Sequence, residues 1–486
     1  MRVFLTLGIL ASQVCGGIYA YAVYWRVVPD AMVSIAQIAR PFRGASVNRR
    51  IFRAAASVTA AAILVKAVAA VKEFSVAGVY GRSDAMDAFL AAILIPNLLI
   101  NLIAESMNQA LVPTLVRVRE EEGHDRAQQL LSSSMLWICL LLVAASATMA
   151  LSARGFFPLI ASHFPAAKLA LSIRLFYALL PLVLITGIAS NCTAVLNTFD
   201  RFALPALAPV FTPVAIIVGA LLLGGRLGVW AMVYAGLAGA LAHMTVLAWM
   251  MDSHGYRFRL RRHGTTEAVR EVAHQYWTVL LSGVAASGGL LVDQSMAAML
   301  PSGSVSALAY ANRFVSVVLT LVAGAVSTAV TPHFSRMIAR REWAGCQQTL
   351  RTWVRLTALV SVPIALVLIA GSRLLIRVAF QHGAFGPHDT DVVTPVLAMY
   401  ALQIPFFVCS RVFYRFLVAM RRTDLILYCG IINLVLDIVL NLILMHWFGI
   451  AGIALATSLW TVSTFFFLWY WTWRLLPESS SDEAAA

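Results

Sequence analysis

Charge is what this sequence has least of: only 12% of its 486 residues are Asp, Glu, Lys or Arg, against about 25% in a soluble globular chain. That scarcity excludes an ordinary water-exposed enzyme or binding module. Lysine is nearly absent, with Lys66, Lys72 and Lys168 the only three. The six cysteines are Cys15, Cys139, Cys192, Cys346, Cys409 and Cys429, and all but Cys346 fall in apolar stretches. Their spacings match no metal pattern and suggest no disulfide framework. The sequence holds no HExxH, no phosphate-binding glycine loop and no nucleophile–base set, so no catalytic chemistry is indicated. The formal charge of +14 comes from arginines in short connections between apolar segments. It points to basic loops facing anionic lipid rather than to nucleic acid.

What is present is apolar. Hydrophobic residues make up 60% of the chain, mean hydropathy is +0.82, and segments of 20 or more recur from end to end. This pattern predicts an all-α polytopic membrane protein. Twelve core spans are expected, near 54–80, 87–114, 134–153, 169–196, 203–225, 227–251, 275–300, 306–332, 353–380, 390–419, 425–446 and 449–473. Alternate connections are rich in arginine: Arg117, Arg119 and Arg126, then Arg201, Arg257–Arg270, Arg336–Arg355, and Arg421 with Arg422. By the positive-inside rule these are cytoplasmic, as are both ends of the core.

Residues 1–53 form an N-terminal extension. Its apolar run 3–25 leaves three readings open: an extra helix, a helix on the membrane surface, or sequence upstream of the true start. Residues 476–486 read as a disordered polar tail.

Between them lies a repeat. ALVPTLVRVREEEGHDRAQQLL (110–131) parallels AVTPHFSRMIARREWAGCQQTL (329–350), so that Pro113 meets Pro332 and Arg117 meets Arg336 at an offset of 219. GVWAMVYA (228–235) resembles GIAGIALA (449–456). The expected organisation is an N-lobe of six helices (54–251), a cytoplasmic linker (252–274) and a C-lobe of six helices (275–475). Six spans per half give both halves one orientation, related by an axis along the membrane normal, and such pairs commonly enclose a midplane site.

Polar residues inside spans are costly: a charge near the bilayer centre costs roughly 2.5–3.5 kcal/mol on insertion scales. Here they are Lys66, Lys72, Glu73, Asn101, Glu105, Asp293, Asn312, Arg313, Arg411, Arg415, Asn433 and Asp437. Lys66 and Glu73 share a helical face two turns apart. Two accounts stand open for these groups. One is structural salt bridging, as between Lys66 and Glu105; the other is a cationic chamber for an anionic headgroup, in which Lys serves as a phosphate partner and Arg313 adds a bidentate contact. Arg411 and Arg415 read as interfacial. Asn433 and Asp437 lie four apart on one face; with Asp293 and Thr457 they offer hard oxygens suited to a hard cation, or carboxylates able to carry protons.

GVYGRSDAMDAFLAAILIPNLLINLIAESMNQALVPTLV (78–116) resembles the signature of the MurJ/MviN lipid flippases, in the multidrug/oligosaccharidyl-lipid/polysaccharide exporter superfamily. LNTFDRFALPALAPV (196–210), LVDQSMAAMLPSGSVSALAYANRF (291–314) and FQHGAF (380–385) add to it. The resemblance covers residues 54 to about 475. It implies two six-helix bundles around a V-shaped central cavity, alternately open to each side of the bacterial inner membrane. It implies a flippase that moves undecaprenyl-diphosphate-linked cell-wall precursor, lipid II or a related glycan, to the outer leaflet.

The partners it implies are a polyprenyl-diphosphate-linked saccharide and membrane lipid, with no nucleic acid; the chain is expected to be a monomer. Matched position by position, the substrate-binding residues are Lys66, Lys72, Glu73, Asp87, Glu105 and Arg313. The coupling-ion site is Asp293, Asn433, Asp437, Thr457 and the backbone oxygen of Ile453. A bound sodium ion is the one cofactor implied. Departures are plain: Ile100 and Asn101 replace a pair of arginines, Asn312 replaces an aspartate, and two C-terminal helices of many lipid II flippases are missing. They raise an exopolysaccharide or capsule unit as the alternative cargo. A multidrug/cation antiporter fits the first-lobe lysines less well.

Overall fold

The computed structural model describes residues 46–197, 203–253, 255–256, 267–420 and 422–476. Some side chains within its helices lie outside the description, among them those of 46–59, Glu105 and most of 278–290. The readings for residues 3–25, for most of the linker and for the tail therefore fall outside the described residues. Of the first of two compact units, Met1–Ala61, only the helical stretch from Ser46 is described; the second unit is Ala62–Ala486.

Every described element is helical. In chain order they are α1 (Ser46–Tyr80), α2 (Asp84–Leu99), a π turn (Ile100–Ala104), α3 (Glu105–Glu121), α4 (His124–Ile160) and α5 (Ala166–Asn197). The short α6 (Ala203–Leu207) and a 3-10 turn (Ala208–Val210) lead into α7 (Phe211–Leu227) and α8 (Trp230–Ser253). Then come α9 (Glu267–Ala297), α10 (Ser304–Ala339), α11 (Trp343–Ala370), α12 (Ser372–Phe380), α13 (Pro387–Ala401), α14 (Gln403–Ala419), α15 (Thr423–Phe448) and α16 (Ile450–Leu475). Ten stretches of the described residues are long and apolar enough to cross a membrane, the α2–α3 and α13–α14 pairs each counting as one. The chain is an all-α, multi-pass membrane protein.

One face of each span packs and the other meets lipid. On α4, Ala127, Leu130, Leu131, Ser134, Ile138 and Leu142 are buried at helical spacing, while Trp137, Leu140, Val143, Leu151 and Leu159 are exposed. In water that apolar face would be a liability; in a bilayer it is the solvated surface, and the helix satisfies its own backbone. Packing falls into two groups, α2–α5 with α7 and α8, and α10–α16. Helix α9 touches both, lying on α3 and α4 and also on α15. An ion pair between Arg117 of α3 and Glu271 of α9 fastens it at one end.

The repeat has a backbone counterpart. Gly228, between α7 and α8, has φ 57° and ψ −141°; Gly449, between α15 and α16, has φ 54° and ψ −131°. Only glycine reaches such angles cheaply, so both halves turn their last hairpin on a glycine of the same conformation, with one residue more between α7 and α8 than between α15 and α16.

Two spans differ from expectation. The ninth, expected over 353–380, stops at Gly371. Beyond that glycine the chain forms α12, a short amphipathic helix with Ser372, Ile376 and Phe380 buried and Arg373 and Arg377 exposed. A Cβ at position 371 would lie 2.7 Å from the Val367 oxygen, so glycine permits the break. The second span carries the π turn, one turn after Pro96, whose missing N–H already interrupts the ladder.

Candidate functional site

Three polar constellations interrupt the apolar interior. The first is a seam where the α1–α2 turn meets the start of α10. Residue 303, at the N-cap of α10, is glycine and has no side chain to offer the orphan N–H groups. Asp87 of α2 supplies the missing acceptor: its Oδ1 takes the N–H of Ser306 at 2.8 Å and its Oδ2 the N–H of Gly303 at 2.7 Å. The helix dipole adds to that preference for an anion. Lys168 of α5 bridges the pair of acids, with Nζ 2.8 Å from Asp87 and 2.7 Å from Asp84.

Arg82 extends the seam, donating Nε to the Gly303 oxygen at 3.1 Å and pairing with Asp389 of α13 at 3.1 Å. The Tyr310 hydroxyl donates to the Gly81 oxygen at 2.9 Å, and the Ser302 hydroxyl to Asp84 at 2.6 Å. The loop before α13 also lies on α1. The Ala384 N–H donates to the Gly78 oxygen at 2.7 Å, and a Cβ on Gly383 would collide with that same oxygen.

The second constellation joins α1 to α10. The Glu73 carboxylate lies 2.6 Å from Lys72 Nζ and 3.0 Å from Arg313 Nε. Two cations meet one acid, leaving net positive charge. Glu73 is 12% exposed but Arg313 is 53% exposed, so the guanidinium keeps donors free for a ligand. Counting about 1.5 Å per residue, the triad lies roughly 12–15 Å along the helices from the seam. Lys66, about 10 Å farther along α1, is exposed and has no acidic partner among the described residues. On α2 and the π turn, Asn97 and Asn101 are exposed as well.

The third lies among α9, α15 and α16. The Asn441 amide donates to Asp293 at 2.9 Å and to Asp437 at 3.0 Å, and the Thr457 hydroxyl lies 3.2 Å from Asp293 and 3.1 Å from the Ile453 oxygen. Asp437 Oδ2 and Asn441 Oδ1 are buried without hydrogen-bond partners. Two adjacent buried carboxylates, one with an orphaned oxygen beside an orphaned amide oxygen, call for a cation or a proton. The donors are all hard oxygens, so the residues fit a sodium ion.

Of the expected site residues, Lys72, Glu73 and Arg313 come together, and Lys66 shares α1 with the first two. Asp87 lies in the seam rather than with them. The Glu105 side chain is outside the described residues. Asp293, Asp437, Thr457 and the Ile453 oxygen cluster, whereas Asn433 lies one turn away, its amide donating to the Cys429 sulfur at 3.6 Å. Sequence reasoning missed Asn441 and Lys168. The first was detectable, because Asn433, Asp437 and Asn441 repeat at intervals of four and share one face.

A family model described as "Lipid II flippase MurJ" matches residues 76–482. Among curated proteins, "Lipid II flippase MurJ" of Burkholderia cenocepacia is 27% identical over 366 residues, covering 73% of this chain and 70% of that protein. "Probable lipid II flippase MurJ" of Thermotoga maritima is 27% identical over 409 residues, covering 84% and 82%. Among solved structures, "Lipid II flippase MurJ, inward closed conformation" has a TM-score of 0.74 at 23% identity over 85% of this chain and 86% of that one. An inward-facing multidrug resistance MATE family transporter has a TM-score of 0.71 at 12% identity over 85% and 94%. These likenesses are in fold, and they are to transporters rather than to enzymes. With more than four-fifths of its length matched by the family model, the chain belongs to the lipid II flippase MurJ family.

Proposed function

We propose that this protein carries a polyprenyl-diphosphate-linked cell-wall precursor, lipid II or a close relative, from the inner to the outer leaflet of a bacterial cytoplasmic membrane. The observation that carries the reading is the Lys72–Glu73–Arg313 triad, a net-positive group with an exposed guanidinium between α1 and α10. A diphosphate satisfies such donors bidentately, and its lipid tail stays in the bilayer. Lys66 is the next cation along α1 toward the inner leaflet. The arginine-rich connections put both core ends in the cytoplasm, so the Asp87 seam closes the outer end while the headgroup loads from inside. Transport then alternates between this arrangement and one in which the seam is parted.

The carboxylates Asp293 and Asp437 are the candidates for coupling, with Asn441, Thr457 and the Ile453 oxygen completing an oxygen set for sodium. When bound, the ion would offset one of the two negative charges and be shared by both acids; the chain's part is to hold their oxygens together from three helices. A lipid-linked exopolysaccharide or capsule unit is the second reading for the cargo, favoured by the neutral, exposed amides Asn97 of α2 and Asn101 of the π turn.

The test is flipping of labelled lipid II in vesicles holding the purified protein. Lys66→Ala and Arg313→Ala should each abolish transport while inserting normally. Wild-type rates in both would overturn the reading. Flipping of a lipid-linked exopolysaccharide unit with lipid II left behind would decide for the second cargo.

A further inference from the structure

Helix α14 differs from its neighbours. Its residues 403–419 are all buried or half-buried. Adjacent α15 instead exposes Leu427, Tyr428, Ile431, Ile432, Val435, Val439 and Leu442 to the lipid side. The fully buried side of α14 faces α10, α11 and α16. What remains is a half-covered strip at helical spacing, Phe407, Arg411, Tyr414 and Arg415.

Its two arginines are built into that strip. The Arg411 guanidinium lies 4.4 Å from the Phe407 ring centroid and 5.6 Å from that of Tyr414, and Arg415 lies 5.9 Å from Tyr414. Stacking fixes the planes of both groups. Among the described residues neither has a carboxylate partner, and Arg415 Nε is buried without an acceptor. Two adjacent, half-desolvated, oriented guanidiniums with no anion are an incomplete arrangement.

The pair is not part of the triad. Phe334 of α10 packs on Phe416 of α14 with ring centroids 5.4 Å apart, which aligns the two helices. Arg313 is 21 residues before Phe334, and Arg411 five before Phe416; at 1.5 Å per residue, the sites are separated by about 24 Å along the helices. One diphosphate cannot touch both.

We propose that Arg411 and Arg415 form a second oxyanion site, which receives the diphosphate of the lipid-linked substrate at the inner-leaflet end before it reaches Lys72 and Arg313. The assignment rests on the flippase reading above. Phosphate oxygens fit the paired, planar donors, and the stacked rings keep the guanidiniums in place when the site is empty. Lysine at either position would keep the charge and lose the stack.

Native mass spectrometry of the full chain with farnesyl diphosphate tests this. Wild type should carry two molecules per chain, and Arg411→Gln/Arg415→Gln should carry one, with the second occupancy weakened about tenfold or more, the loss of one charge-assisted contact. Arg313→Gln should also carry one. Unchanged stoichiometry in the double variant overturns the site. Where that variant fails to fold, Arg415→Lys replaces it; a severalfold weaker second occupancy supports the site, and none overturns it. Phosphatidylglycerol is the competing source of the same oxyanion. If it fills the Arg411–Arg415 site as well as farnesyl diphosphate does, the pair is a general lipid contact and the substrate assignment falls. Absence of the Arg313-dependent occupancy alone counts against the flippase reading and leaves the second site standing.

Discussion

Asp87 of α2 caps a helix to which it does not belong, accepting the Ser306 N–H at the first turn of α10 over 2.8 Å. Its other oxygen holds Lys168. Removing the carboxylate leaves two backbone donors unmatched and strands a buried ammonium on Asp84 alone, a change of the kind that costs up to about 3–5 kcal/mol. Asp87→Ala should therefore unfold at clearly lower temperature in detergent, by tryptophan fluorescence, and Asp87→Asn by less. Adding Lys168→Met to Asp87→Ala should restore part of the loss, because the stranded charge is gone; strict additivity of the two changes would show that they are not coupled.

Glu73 separates the two accounts of the buried charges. If Lys72 and Arg313 serve only to neutralise it, Glu73→Gln merely destabilises. If they hold a diphosphate, Glu73→Gln removes a competing acid and should tighten farnesyl diphosphate binding severalfold, by about 1 kcal/mol. Titration of the detergent-solubilised protein reads the difference directly.

The α9–α15–α16 cluster predicts stabilisation by sodium without reference to transport. A ligand at a hundred times its dissociation constant adds about 2.7 kcal/mol to the folded state. Thermal unfolding in sodium chloride should exceed that in choline chloride at equal ionic strength, and Asp437→Asn should erase the difference. Asn441→Ala should reduce it more than Asn433→Ala, since Asn441 bridges the carboxylates. The reverse order would place the ion one turn along α15.

The paired hairpins give a cleaner backbone measurement. A Cβ at Gly228 or Gly449 meets nothing within 4 Å. Alanine at either site carries only the backbone penalty of a positive φ with an extended ψ, on the order of 1–3 kcal/mol. At Gly452 a Cβ would run into the Leu444 carbonyl. Gly452→Ala should thus be much the worst of the three in expression and melting temperature.

Much of this architecture was legible in the sequence because lipid imposes it: apolar runs of span length have few alternatives to helix. Lys72, Glu73 and Arg313 were found for the same reason, as charges that a bilayer tolerates only for cause. What escaped depends on tertiary fit. The break at Gly371 rests on how closely that residue approaches the Val367 carbonyl, and the π turn on the register after Pro96. Asp87 looked like a site acid in the sequence; its role as a cap needs α10, which begins 217 residues later. Lys168 gives no sign of its role in the sequence, since its partners Asp84 and Asp87 come from another hairpin. Asn441 was overlooked next to the brighter signal of Asp437.

The seam at Asp87 also has a mechanical character. Its bonds join one carboxylate to donors fixed on rigid helix ends, so a displacement of an ångström or two severs them together rather than in succession. The junction is brittle where an apolar contact would slide. Any parting of it would be all-or-nothing, a snap rather than a glide.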